Sequence, residues 1–130
     1  NSALELGQIE GGFVQGQGWL TMEEVNWKPN GKITTVSPST YKIPAVSDIP
    51  KKFNIEIFKK GKNKENVVNK AKTTGEPPLM LAMSVFYAIK DAVASVGKYK
   101  KIPVLDAPAT PEKILMSLNE LKYRTNYSKH

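Results

Sequence analysis

A chain of 130 residues with 40% hydrophobic content is one domain's length and apolar enough to build a core, which excludes disorder. The absence of cysteine excludes disulfides, a cysteine-ligated iron–sulfur cluster within this sequence and a cysteine-rich zinc site. The formal charge of +7 invites an anionic partner, but the lysines fall in short groups such as Lys51-Lys52, Lys59-Lys60 and Lys100-Lys101, and Arg124 is the sole arginine. That distribution fits a solvated surface better than a nucleic-acid or lipid-headgroup site, since arginine forks make the bidentate contacts to phosphates and bases.

Residues 4 to about 23 have helical spacing, with Leu6, Ile9, Phe13 and Leu20 on one face. Gly7, Gly11 and Gly18 line a second face, and Gln8 and Gln15 share the strip beside it. Each glycine weakens a helix by about 1 kcal/mol relative to alanine, so the stripe needs a reason. It suits a closely approaching backbone or a flat ligand, and Gln8 could donate to and accept from such a ligand at once. Tight helix packing with solvated glutamines accounts for the same pattern. No strand precedes these glycines and their spacing is not G-x-G-x-x-G, so no dinucleotide fingerprint is present.

Residues 24–36 predict a hairpin, with Val25 and Trp27 before a Lys28-Pro29-Asn30-Gly31 turn and Ile33 and Val36 after it. Pro38, Pro44 and Pro50 predict an irregular crossing over 37–51. Phe53, Ile55 and Ile57 alternate with polar neighbours and predict a strand to about Lys59, followed by a polar turn over 61–65.

Gly75-Glu76-Pro77-Pro78 opens the most apolar stretch. Proline suits a helix's first turn, so a helix is expected from Pro77 to Val96, apolar on nearly every side and therefore buried; its longest apolar run, residues 79–89, is too short to span a bilayer. Glu76 stands at its mouth, where a carboxylate is either a helix cap or a chemical group. A third helix opens at Thr110-Pro111-Glu112 and buries Ile114, Leu115, Leu118 and Leu121. The expected architecture is α+β: long helices packed on a small, mostly antiparallel sheet, with residues 1–122 as the folded unit. Residues 123–130, ending in His130, form a disordered or added tail. The missing initiator methionine reads as part of a longer polypeptide.

Four blocks carry a resemblance. Residues 75–82 resemble the Gly-Glu-Pro-Pro signature of the molybdenum hydroxylases, the xanthine dehydrogenase and aldehyde oxidase family, and most of all its bacterial-type xanthine dehydrogenase branch. Residues 7–16 (Gly7-Gln8-Ile9-Glu10-Gly11-Gly12-Phe13-Val14-Gln15-Gly16) are similar to the family's glutamine-bearing helix, 38–44 to its middle segment and 108–114 to its final helix start. The four occur in the family's order within residues 3–121. Thr73 and Thr74 stand where the family usually has small or apolar residues.

The resemblance implies the C-terminal portion of a molybdopterin-binding large subunit. It implies insertion of a water-derived oxygen into a C–H bond of a heteroaromatic ring or an aldehyde, with purines such as hypoxanthine or xanthine as the expected substrates and Glu76 as general base. Gln8 would hydrogen-bond the molybdenum–molybdopterin cofactor and Gly7 would let it approach. No metal ligand is expected from this sequence. The cofactor would be shared with the rest of the subunit, while 2Fe-2S clusters, FAD and NAD would be held elsewhere, partly by an iron–sulfur/flavin subunit. A cytoplasmic enzyme is expected, with no nucleic-acid or membrane partner. Alone, the chain is expected to be inactive and to self-associate through its core-like faces. The alternative is a non-catalytic binding module with a basic surface.

Overall fold

The computed structural model describes residues 1–127, with side chains described as far as residue 122. Four α-helices form: α1 (Ser2–Thr21), α2 (Glu76–Leu81), α3 (Met83–Val96) and α4 (Pro111–Tyr127). Asn1 caps α1, its Oδ1 accepting from the Ala3 amide at 3.1 Å. Leu6, Ile9, Phe13 and Leu20 are half-buried, as their spacing requires. Helix α1 closes where the Met22 and Glu23 amides both donate to the Gly18 carbonyl, at 2.9 and 3.0 Å.

The expected sheet does not form: among the described residues there is no β-strand, and the α+β architecture gives way to a helical one. The turn of the predicted hairpin is present. Gly31 adopts φ +79°, and Lys28 N–H donates to the Lys32 carbonyl at 2.9 Å. Pairing stops at one antiparallel bridge, Trp27 to Ile33. Trp27, Val25 and Val36 stay exposed, so neither hairpin arm has an apolar face to bury and hold a ladder. The segment after Phe53 keeps its alternation: Phe53, Ile55 and Ile57 are half-buried while Asn54, Glu56 and Phe58 are exposed. It packs on α1, with the Phe13 and Phe53 rings 5.3 Å apart. A period of two fixes which side chains face in, but a strand also needs a neighbouring backbone, and a helix cannot supply one.

The predicted long apolar helix is broken. It forms α2 and α3, divided at Ala82, which is fully buried. Nor is it buried throughout: Leu81 is 63% exposed, Tyr87 60% and Val96 54%. Taken together, residues Glu76–Val96 are the one stretch among the described residues long and apolar enough, by length and composition alone, to cross a membrane, the mean hydropathy of its most apolar 18 residues being 1.6. The run expected to be too short, residues 79–89, is only part of this stretch.

The main core lies between α3, the following loop and α4. It consists of Val93, Leu105, Ala109 and Leu121, backed by Phe86, Ile89, Ile114 and Leu118. The Ala109 amide donates to the Leu20 carbonyl at 2.7 Å and fastens this layer to the end of α1. Of the stripe predicted for α4, Leu115 is the exception, 58% exposed. Helix α4 continues past residue 122 to Tyr127; the last residues of the expected tail, 128–130 with His130, lie outside the described residues.

Candidate functional site: the glycine-mediated pairing of the first two helices

Helices α1 and α2 meet through glycine. A Cβ on Gly12 would lie 3.0 Å from the Gly75 carbonyl oxygen and 3.1 Å from Pro78 Cβ; one on Gly16 would lie 2.5 Å from the Leu79 oxygen and 2.6 Å from Ala82 Cβ. Moving four residues along α1 therefore moves the contact about four residues along α2, so the two helices run parallel. Gln8 is one turn before Gly12 on the same stripe. This register carries Gln8 to the end of the pair at which Glu76 begins α2.

Glu76 is the first helical residue, preceded by Gly75 at the N-cap position with φ −78° and ψ −49°. It does not occupy the cap position, and its carboxylate sits in the first turn, where the helix dipole favours negative charge. Both Glu76 and Gln8 are exposed. Gly7 and Gly11 have nothing within 4 Å of where a Cβ would stand, so their face of α1 is open. Of the three glycines read as one stripe, only Gly18 is tightly packed, against Pro44. The close helix contact belongs instead to Gly12 and Gly16. The four-residue spacing keeps these two on one helix face, but Gly7 and Gly11 share that spacing, so it does not single out the packed pair.

Beside this pairing lies a cavity of about 750 Å³, walled by Ile9 and Phe13 of α1, by Phe53 and Ile55, and by Pro77, Pro78 and Leu81 of α2. Thr73, Thr74 and Ser84 add hydroxyls. Lys52, Asn54 and Glu56 complete the lining, and neither Gln8 nor Glu76 is part of it; its size is that of a small-molecule site. Among the described residues no three His, Asp or Glu side chains come together as a metal-binding group. A flat, polar-edged cofactor fits the residues present: the Gly7/Gly11 face leaves room for close approach, and Gln8 offers a donor and an acceptor beside it.

Residues 1–50 match the family model described as a molybdopterin cofactor-binding domain. The chain is similar to the xanthine dehydrogenase/oxidase of Felis catus, with 47% identity over 120 residues that span 88% of this chain and 9% of that protein. It is similar to the xanthine dehydrogenase of Oryza sativa subsp. japonica (42% identity, 90% of this chain, 9% of that protein) and to aldehyde oxidase 1 of Bos taurus (42%, 92% and 9%). It thus spans about a tenth of these relatives' length. In structure it is similar to quinoline 2-oxidoreductase from Pseudomonas putida 86, with a TM-score of 0.74 and 30% identity over 92% of this chain and 14% of that one. The chain belongs to the molybdenum hydroxylases, the xanthine dehydrogenase and aldehyde oxidase family.

Proposed function

We propose that this chain supplies the general base and one face of the cofactor site of a molybdopterin-dependent hydroxylase acting on purines, completed by the rest of a larger enzyme. Supporting this reading is the parallel register of α1 and α2, which gathers the turn bearing Gln8 and the first turn bearing Glu76 at one end, beside an apolar cavity. When bound, the molybdenum cofactor supplies the two-electron redox chemistry of hydroxylation.

The residues of this chain have separate tasks. The Glu76 carboxylate takes a proton, through Oε1 or Oε2, from the oxygen about to be transferred. A base must lie within hydrogen-bond reach of the proton it takes. Gln8 would hold the cofactor through its side-chain amide, and Gly7 would permit its approach. Pro77 and Pro78 fix the backbone next to Glu76, because their φ angles are locked and neither donates a hydrogen bond. The apolar part of the cavity wall would pack against a planar heterocycle. With no cysteine in the sequence, the iron–sulfur clusters of such an enzyme would be ligated elsewhere, as would FAD and NAD.

The test is Glu76→Gln in the complete enzyme. Turnover of hypoxanthine should fall about 10²-fold or more, the scale of general-base contributions, with molybdenum content unchanged. Turnover at the parental rate defeats the assignment.

A further inference from the structure

At the other end of the α2–α3 stretch from Glu76, α3 and the loop after it enclose a second groove of about 510 Å³. Tyr87 and Tyr99 line it, at 60% and 63% exposure, together with Lys90, Asp91, Lys100 and Ile102. Its shape depends on an unusual turn. Lys98 and Tyr99 both take positive φ, 52° and 56°, a conformation that L side chains rarely adopt. The turn folds the chain back, so that the Tyr99 hydroxyl donates to Asp91 Oδ2 at 3.3 Å. The one acid in the groove is thus engaged by a neutral phenol, while the lysines give the rim a positive sign.

We infer that this groove is a docking surface for an acidic peptide segment that carries an apolar or aromatic anchor. Charge complementarity supports the choice: lysines flank two exposed aromatic walls and an exposed isoleucine. The backbone weighs against a phosphate ligand. The Lys98, Tyr99 and Lys100 amides already donate to the Ser95, Ala94 and Gly97 carbonyls at 2.9, 3.0 and 3.1 Å, which leaves no nest of free N–H groups to cradle one. Among the described residues no arginine lines the groove to offer a planar fork. Lysine ammonium groups on flexible stems instead suit carboxylates spaced along a chain, and tyrosines are favoured anchoring surfaces in interfaces. The surface is independent of the Glu76 site, so its failure would leave that reading standing.

The experiment uses the full-length protein and a fluorescein-labelled hexapeptide, Glu-Glu-Leu-Phe-Glu-Glu, followed by fluorescence anisotropy. Saturable binding is expected, weakening about tenfold between 50 and 300 mM salt because the ion pairs are exposed. The double substitution Lys90→Glu with Lys100→Glu should weaken binding tenfold or more. Tyr99→Phe should weaken it several-fold by releasing the Asp91 carboxylate into the groove. A Lys-Lys-Leu-Phe-Lys-Lys peptide should not bind. Lys100→Gln, a mild surface change, provides a folded control expected to weaken binding two- to threefold. Binding that does not saturate by 1 mM peptide overturns the inference, as does unchanged affinity in the lysine variants. Equal, equally variant-sensitive binding of anionic vesicles or oligouridylate also overturns it, by showing a general anion surface.

Discussion

Gly16 of α1 and Leu79 of α2 approach so closely that a Cβ on the glycine would stand 2.5 Å from the leucine carbonyl oxygen. That contact sets the register by which Gln8 and Glu76 reach the same end of a helix pair. Backbone rather than a flexible side chain blocks the space, so it cannot be relieved by a rotamer change. Gly16→Ala should therefore destabilise the chain by about 1–3 kcal/mol, although alanine is the better helix former. Denaturant unfolding followed by circular dichroism would measure this.

Gly7→Ala should behave in the opposite way. With open space around the site, the substitution should stabilise α1 by up to about 1 kcal/mol. If a cofactor lies against this face, the same methyl group should lower the molybdenum content of the complete enzyme. Metal analysis beside a thermal melt separates the two effects; a stabilised protein with full metal content would remove Gly7 from the cofactor face.

Glu76→Gln should cost little stability, at most about 1 kcal/mol from the lost interaction of a first-turn carboxylate with the helix dipole. A large loss of turnover with a nearly unchanged melting temperature would thus report on chemistry rather than folding. Glu76→Asp retains the charge but shortens its reach, and should recover part of the rate at most.

Asp91 raises the Tyr99 pKa above its ordinary value, first by its charge, then through modest burial and the hydrogen bond to the phenol. The neutral phenol is favoured in the folded protein. This contribution to stability is present below the ordinary tyrosine pKa of about 10 and is lost as pH rises through the higher folded value. Asp91→Asn should return Tyr99 to the ordinary range, seen as an earlier phenolate absorbance in an ultraviolet titration.

Exposed apolar side chains on α2, α3 and the hairpin, among them Leu81, Tyr87, Val96, Val25 and Trp27, form more apolar surface than a monomer of this size usually leaves in water. The 130-residue chain on its own should self-associate at micromolar concentration, which sedimentation velocity would detect. A monomer at 100 µM would contradict this.

The sequence by itself determined the starts of α1, α2 and α4 to within two residues, the turn at Gly31 and the inward faces, because proline, asparagine–glycine and periodicity act over a few neighbouring residues. Pro77 and Pro78 do open α2, and Phe53, Ile55 and Ile57 do face inward. The Gly-Glu-Pro-Pro wording also determined the family. Only the tertiary structure decided that the alternating segment lies on a helix rather than in a sheet, that the apolar run breaks at Ala82, and that Gly12 and Gly16 make the close contact while Gly7 and Gly11 stay open. Those outcomes depend on which backbone comes to lie opposite each residue, and that is fixed by packing between positions 40 or more residues apart in the chain.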